Sequence, residues 1–376
     1  MEKTSVRSVF GFLRGFLYNA AMSAKGEKVI VAMSGGVDSA VAASLLIDAG
    51  YEVTGVFMCL GTAGGSDTAS RGCCSPADAA DARLVANMLG IELFVLDLSD
   101  AFEPLIDAFA AEYAIGRTPN PCIHCNTLIK FGRLLDRAAS LGVEYIATGH
   151  YARIIDFEGS AALARAAAVG KDQSYALFGM PAAALGRILL PVGEIVDKSQ
   201  VRLIAQNLGL VVHDKPDSQE ICFAPDDDYV EILKSRAPEA LIPGDIINSS
   251  GVVLGQHEGY GRFTIGQRRG LRIAAGVPMY VTKLDPIANT VTIGPRDEVM
   301  SRKLTASGAN WHCTVPEQFS ATVQIRYNHR GQGAEVRLTG DDTFAVEFTE
   351  PVHAITPGQA VVVYDGDRLL GGGWIE

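Results

Sequence analysis

Twelve consecutive residues, Lys28-Val29-Ile30-Val31-Ala32-Met33-Ser34-Gly35-Gly36-Val37-Asp38-Ser39, constrain the fold more than any other stretch of the chain. The first half is apolar and β-branched with no polar alternation, the signature of a strand buried on both faces of a parallel sheet. Two glycines follow, flanked by hydroxyls and a carboxylate, and then an apolar helical segment over residues 37–47 that stops at Gly50. Strand, glycine turn and helix together aim unpaired backbone N–H groups at an anion. Gly35 and Gly36 lack a Cβ, so the backbone can take positive φ and approach a phosphate. Ser34 and Ser39 are donors for phosphate oxygens, and Asp38 is a candidate magnesium ligand. A Walker A loop carries a lysine ahead of its terminal Ser or Thr. None stands here, so this is a nucleotide-binding loop of another kind.

The 376 residues leave room for two or three domains with their own cores. A hydrophobic content of 48% with 20% charged residues is that of an ordinary globular protein. No apolar run is long enough to span a bilayer. Seven cysteines, an odd number, do not form a secreted disulfide framework, which places the chain in a reducing cytoplasm. A net charge of −11 excludes a protein basic all over but allows a local basic stripe. Residues 1–27 carry Lys3, Arg7, Arg14 and Lys25 among Ser and Phe, loosely like a leader; the plainer reading is an upstream extension, with Met22 opening directly onto the strand.

Strand and helix patterns alternate after the first loop. Residues 51–59 read as a strand. Ser75-Pro76 is an N-cap and N1 pair for a helix that reaches Leu89 and stops at Gly90. Residues 91–98 are another strand, and Asp100 opens a helix with Phe102, Leu105, Ile106, Phe109 and Tyr113 on one face. A proline-rich turn, a helix over about 126–140 and a strand over 144–148 follow. This order predicts a doubly wound parallel sheet, with ligands beyond the carboxyl ends of its strands. The glycine loop, Met58 and Gly149-His150 all fall at such ends. Residues 174–210 read as helical with Leu-Gly stops. Beyond Leu241, short β-rich runs between Gly, Pro and Asp-Gly turns predict two β modules, barrels or sandwiches, meeting near Met300.

SGGVDS behind a buried strand is similar to the PP-loop of enzymes that adenylate a carbonyl oxygen and release pyrophosphate. In Gly116-Arg117-Thr118-Pro119-Asn120-Pro121-Cys122-Ile123-His124-Cys125-Asn126, two prolines hold an extended loop, and Cys125 stands just before a helix, where N–H dipoles lower a thiol pKa. One CxxC alone is weak evidence for zinc. Cys222, between Ile221 and Phe223, reads by default as a small core residue and gains weight only as a second thiol for Cys125. Cys73 and Cys74 read as ordinary loop thiols. Lys171-Asp172-Gln173-Ser174-Tyr175 is a polar cluster at a helix start. Residues 259–276 hold Arg262, Arg268, Arg269 and Arg272 with no acid, and Arg326, Tyr327, His329 and Arg330 make a second basic patch. On an acidic chain, two such patches read as a phosphate-binding surface.

VAMSGGVDS, GRTPNPCIHCN, IKF, IATGHYAR, KDQSY, LPVGE, DSQEICF, TIGQRRGL and TPGQAVVVYDGDRLLGGG, in this order, resemble the tRNA-specific 2-thiouridylases from Lys28 to the C-terminus. The resemblance implies an α/β fold: a PP-loop, adenine nucleotide α-hydrolase-like domain over 28–218, a central β-rich domain over 219–300 and a C-terminal β-barrel over 301–376, after an extension over 1–27. It implies ATP held by Ala32, Met33, Ser34, Gly35, Gly36, Val37, Asp38 and Ser39 with Met58 and Gly149, and Mg2+ at Asp38. Cys125 and Cys222 would be the catalytic pair: ATP adenylates the C2 oxygen of the wobble uridine, and a Cys222 persulfide delivers sulfur, leaving a Cys125–Cys222 disulfide. The target base would lie against Asn120, Pro121 and Cys122. Further tRNA contacts would come from His150, Lys171, Asp172, Gln173, Arg326, Tyr327 and Gln359. The implied partners are tRNA and a persulfide donor, a cysteine desulfurase or sulfur-relay protein, with no membrane.

Many family members carry Asp where this chain has Cys122, and a thiol with a pKa of roughly 8.5 is a poor replacement for a carboxylate. Cys122, Cys125 and Cys222 are therefore also a candidate three-thiolate iron–sulfur site, the less favoured mechanism. Synthetases that adenylate small molecules use the same loop but need an amine donor, not two thiols. A tRNA-binding protein with a vestigial loop would not keep Ser34, Asp38 and Ser39.

Overall fold

The computed structural model describes residues 26–61, 75–217, 221–224 and 229–376. Cys73, Cys74, Ser218, Gln219, Glu220 and most of the N-terminal extension lie outside them. Two compact units emerge: one holds the described residues up to 102 together with 125–224, the other 103–124 and 229–376.

The first unit is built on a five-stranded sheet in the order β3-β2-β1-β4-β7. Its strands are β1 (Lys28–Ala32), β2 (Glu52–Cys59), β3 (Leu93–Asp97), β4 (Tyr145–Ala147) and β7 (Ile188–Leu189), and each adjacent pair is parallel. β1 lies in the middle, with Val29, Ile30 and Val31 at most 2% exposed, as a strand covered on both faces must be. Helix α1 (Val37–Asp48) buries nine of its 12 residues. α2 (Pro76–Leu89) starts where the cap pair places it. The Ser75 hydroxyl accepts from Asp78 N–H at 3.1 Å, Pro76 takes N1, and Gly90 ends the helix at φ +69°.

Two stretches depart from the sequence reading. Residues 174–210 are not continuous helix. They form 3-10 turns (Ser174–Leu177, Ala182–Arg187, Pro191–Glu194), strand β7 and one α-helix (Lys198–Asn207). Pro181 and Pro191 interrupt the helical hydrogen-bond ladder, and a Cβ at Gly193 would sit 1.7 Å from the Ala152 carbonyl oxygen. The helix expected over 126–140 opens as a π-helix (Cys125–Arg133) before turning α over Leu134–Ser140. A hairpin, β5 (Ala152–Phe157) with β6 (Ser160–Arg165), is also present. Its Glu158-Gly159 turn has φ of +53° and +80°, a primed turn without the usual Asn-Gly signal.

α3 (Ser99–Ala114), which carries the division between the units after residue 102, has the expected buried face of Phe102, Leu105, Ile106, Phe109 and Tyr113. A four-stranded sheet in the order β10-β11-β8-β9 encloses a core with Tyr260, Phe263, Leu271, Val281 and Ile293. Its strands are β8 (Gly244–Asn248), β9 (Val253–His257), β10 (Tyr280–Asp285) and β11 (Thr290–Gly294). Six further strands run β12-β15-β14-β13-β16-β17 and close into an antiparallel barrel because β12 (Met300–Trp311) pairs with both β15 (Phe344–His353) and β17 (Arg368–Ile375). The others are β13 (Gln318–Gln324), β14 (Gln332–Leu338) and β16 (Ala360–Asp365). β17 contains Gly371-Gly372-Gly373, residues that by themselves disfavour a strand. The barrel needs those glycines: a Cβ on Gly371 would lie 2.5 Å from the Asn310 carbonyl oxygen of β12.

Candidate active site

The turn from β1 into α1 is an anion cradle. Gly35 sits at φ +71°, and a Cβ there would come within 2.3 Å of the Asp78 carbonyl oxygen. Gly36 occupies the N-cap and makes no side-chain capping bond, so the first-turn N–H groups of α1 are left for another acceptor. Buried Ser39 ties the turn together: its hydroxyl accepts from Ser34 N–H at 3.2 Å and donates to the Gly36 carbonyl at 3.1 Å. Beyond β4, Gly149 comes so close to α1 that a Cβ would be 2.6 Å from Ser39 N. Ala32 pairs with Val56 two residues before Met58, and Val31 with Ala147 two residues before Gly149. The three strand ends expected at the site therefore share one sheet edge.

Charged side chains brace this cradle. Lys198 Nζ is 2.6 Å from both Asp38 oxygens and 3.1 Å from Asp217 Oδ1. The Tyr151 hydroxyl donates to Asp38 Oδ1 at 2.7 Å. Asp217 also receives Lys171 at 3.0 Å and Arg202 at 3.0 Å. Two carboxylates thus face three cations. Burial works to raise the Asp217 pKa, but its bonds to Lys171 and Lys198 outweigh this and hold it below the usual range. Burial, then the Asp38 charge, pushes the Tyr151 phenol far up, so it stays a donor. Lys215 Nζ binds the Gly35 carbonyl at 2.9 Å and reaches Asp78 and Asp81 at 2.6 and 2.5 Å, locking the turn from outside.

The cysteine segments differ in exposure. Cys125 is 7% exposed at the head of the π-helix, Cys222 is half-buried and Cys122 exposed. π-Helical turns are frequent at functional sites. Asn126, next to Cys125, donates from Nδ2 to the Ala176 carbonyl at 2.9 Å, while its buried Oδ1 has no protein partner among the described residues. Within the second unit, the loop ahead of Cys122 is clamped by the end of the chain. Gln359 Nε2 donates to the Thr118 carbonyl at 2.8 Å, and Arg117 binds Glu112, Glu376 and the Ile375 carbonyl. The His124 ring stacks on Trp374 at 4.3 Å, and burial, only partly opposed by Glu112, holds its pKa below the usual value.

Residues 27–226 match the family model of the tRNA methyl transferase HUP domain, 230–295 that of the tRNA methyl transferase PRC-barrel domain, and 301–375 that of the aminomethyltransferase β-barrel domain. The chain is 51% identical over 357 residues to the tRNA-specific 2-thiouridylase MnmA of Carboxydothermus hydrogenoformans, covering 93% of this chain and 98% of the relative. It is 48% identical over 368 residues to the MnmA of Salinibacter ruber, covering 94% and 95% respectively. The chain belongs to the tRNA-specific 2-thiouridylase family.

The other expected site residues have diverse surroundings. His150 is half-buried, its Nδ1 2.6 Å from the Thr148 hydroxyl. Burial and then nearby Lys130 hold its imidazole well below the usual range. Asp172 is committed within the chain, bonded to Arg165, Ala166 N–H and both donors of Ser174. Gln173 accepts from Tyr151 N–H at 2.9 Å. Arg326 and Tyr327 lie in a turn held by buried Gln324, whose Nε2 donates to both their carbonyls at 3.1 Å. Asn120 is half-buried and Pro121 buried beside exposed Cys122.

Sequence reasoning missed Lys198, Lys215, Tyr151 and Gln324. Lys198 carries a usable signal, since a lysine in the first turn of a helix opposes the macrodipole and needs a nearby acid to hold it there. The Mg2+ expectation at Asp38 meets a competitor, because Lys198 and Tyr151 already engage both carboxylate oxygens. Among the described residues no group of three or more His, Cys, Asp or Glu side chains is arranged to hold a metal. No step is therefore assigned to a metal ligated by Asp38 or to an iron–sulfur cluster on Cys122, Cys125 and Cys222.

Proposed function

We propose that this chain thiolates the C2 position of the wobble uridine in tRNA, using ATP to activate the base and a cysteine persulfide to deliver sulfur. The supporting observation is an uncapped helix start with no Cβ at Gly35, Gly36 or Gly149 and with Lys198 alongside, in the same unit as Cys125 and Cys222. The first-turn N–H groups of α1, Ser34 and Ser39 would hold the phosphates of ATP, with Ala32, Met33, Val37, Asp38 and Met58 around them. Lys198 is placed to balance charge that develops as pyrophosphate leaves.

Adenylation turns the C2 oxygen into a good leaving group. The terminal sulfur of a Cys222 persulfide attacks C2 and AMP departs. The Cys125 thiolate then attacks the Cys222 sulfur, which releases 2-thiouridine and leaves a Cys125–Cys222 disulfide for an external thiol to reduce. Asn120, Pro121 and Cys122 would face the base, and His150, Lys171, Asp172, Gln173, Arg326, Tyr327 and Gln359 would contact or shape the tRNA site. Asp172 and Gln359 act here through the loops they hold. A cysteine desulfurase or sulfur-relay protein in the cytoplasm would load the persulfide. Among the described residues no helix is long and apolar enough to cross a membrane.

The test is mass analysis of nucleosides from tRNA incubated with the protein, ATP, magnesium and a persulfide donor. The expected product is 2-thiouridine, formed only with ATP. Pyrophosphate release with a small-molecule acceptor and no thiolated nucleoside would replace this reading with that of a small-molecule synthetase.

A further inference from the structure

We propose that Arg117 is a positioning residue for thiolation: it locks the loop carrying Asn120, Pro121 and Cys122 onto the end of β17, so that the barrel fixes where the reacting base is held. This rests on the thiolation reading and names a residue that acts through the loop, without touching the base.

The guanidinium is engaged on three sides within the second unit. Its Nε donates to Glu112 Oε2 at 2.8 Å, Nη1 to Glu376 Oε2 at 2.7 Å and Nη2 to the Ile375 carbonyl at 3.0 Å. Glu112 lies on α3, ahead of the loop, and Ile375 closes β17. Glu376 is itself fixed: its N–H donates to the Thr305 carbonyl at 3.0 Å, and its second carboxylate oxygen takes the Ser307 hydroxyl. A planar fork with three acceptors in place defines one orientation of the loop, which the point charge of a lysine would not. The Arg117 side chain is 21% exposed, so these bonds are shielded from water as the open pair of Arg302 and Glu350 is not.

The same part of the barrel holds the rest of the loop. Thr118 N–H donates to the Pro357 carbonyl at 2.9 Å, and Gln359 Nε2 donates to the Thr118 and Pro119 carbonyls at 2.8 and 3.2 Å. Gly358 backs so closely on Thr118 that a Cβ would lie 3.0 Å from its backbone N and O. At the far end the His124 ring lies flat on Trp374 of β17, 4.3 Å away at 11°. Ahead of the loop, the Tyr260 hydroxyl donates to the Ala114 carbonyl at 2.7 Å.

Connecting loops are ordinarily solvated and mobile. This one has its backbone fixed from Arg117 to Pro119, while Asn120 stays half-buried and Cys122 exposed. A rigid backbone under presented side chains is what holding a base in a reactive pose requires, because a displacement of about 1 Å can cost roughly 100-fold in rate.

The experiment measures 2-thiouridine formation by the full chain with unmodified tRNA, ATP and a persulfide donor, alongside ATP affinity, thermal midpoint and amide exchange of peptides spanning 113–124. Arg117→Met should lower kcat about 10- to 100-fold, with KM for tRNA within about twofold of wild type. Exchange at Thr118 should speed up. Arg117→Lys should recover little of the loss. Glu376→Ala, at a 42%-exposed side chain, should give a smaller loss of kcat, and Arg117→Met/Glu376→Ala should be no slower than Arg117→Met alone. Arg302→Gln, which breaks the open pair with Glu350, should match wild type. A folded Arg117→Met chain with wild-type kcat overturns the proposal. So does full activity in Arg117→Lys, which shows that charge alone suffices, and so does a raised KM with kcat unchanged, which makes Arg117 a tRNA-binding residue. If Arg117→Met does not fold, Glu376→Ala carries the test, and unchanged kcat and exchange there overturn the proposal. Absence of 2-thiouridine with the wild type overturns the thiolation reading, whereas unslowed chemistry in the variants overturns only this one.

Discussion

Lys198 Nζ touches two carboxylates at once, Asp38 in the first turn of α1 at 2.6 Å and Asp217 at 3.1 Å. Asp38 belongs to the phosphate cradle, and Asp217 stands five residues before Cys222. One 12%-exposed ammonium thus joins the segment that would activate the base to the segment that would carry the sulfur. Lys171 extends the chain of charges from Asp217 to the KDQ turn.

Lys198→Met should separate these segments and leave Asp38 without its main partner. Pyrophosphate release in the presence of tRNA should fall about 100-fold, the scale of losing one preorganised group that stabilises developing charge. Lys198→Arg should recover part of it. Because Asp38 and Asp217 both lose a cation, thermal stability should fall as well. ATP affinity measured separately distinguishes lost binding from lost chemistry. Unchanged pyrophosphate release would remove Lys198 from the reaction.

The two cysteines should fail differently. Cys222→Ser should abolish thiolation while ATP still binds. Cys125→Ser should stall after the first sulfur transfer and trap the tRNA on Cys222 through a C2–S–S–Cys linkage. That adduct should run as a protein–RNA band on a non-reducing gel and dissolve with dithiothreitol, yielding 2-thiouridine. A Cys125→Ser enzyme that turns over normally, with no adduct, would show that Cys125 does not resolve the intermediate.

The parts of this molecule that are legible in sequence are those whose signal is local. The buried strand, the Ser34–Ser39 turn and the Ser75-Pro76 cap are each specified within a few residues, and each forms where the residues place it. What is not legible depends on distant partners. Nothing near Lys198 says that Asp38 lies 160 residues away as its acceptor. Gly371-Gly372-Gly373 disfavours a strand by composition, and only the close approach of β12 gives the glycines their reason. The 3-10 turns after Ser174 reflect Pro181, Pro191 and the close approach of Gly193 to Ala152, so an apolar pattern alone overstated helix there.

Gly35→Ala tests how rigid the cradle is. Alanine would meet the left-handed backbone at φ +71°, worth about 1–2 kcal/mol, and a methyl 2.3 Å from the Asp78 carbonyl oxygen. That oxygen is backbone at the start of α2 and cannot swing aside. The turn itself must open, which moves Ser34 and the Gly35 carbonyl away from Lys215. ATP affinity should drop by about 5- to 150-fold, with a lowered thermal midpoint, if overpacking here costs the usual 1–3 kcal/mol. Normal ATP affinity in a folded Gly35→Ala chain would mean that the turn does not set the phosphate site.

His150 supplies a pH test with a fixed sign. Its folded-state pKa lies well below the ordinary 6.5, first because of burial and then because of Lys130. As pH falls below 6.5, the unfolded chain gains a proton that the folded imidazole refuses. Stability is therefore full above that value and declines towards acid, by at most about 1.4 kcal/mol per pH unit for one such group. His124, His257, His329 and His353 are shifted the same way and add their own shares. His150→Gln removes one share. Urea midpoints from pH 7 to 5 should decline less steeply in the variant than in the wild type. Parallel slopes would show that His150 takes up its proton as readily in the folded protein as in the unfolded one.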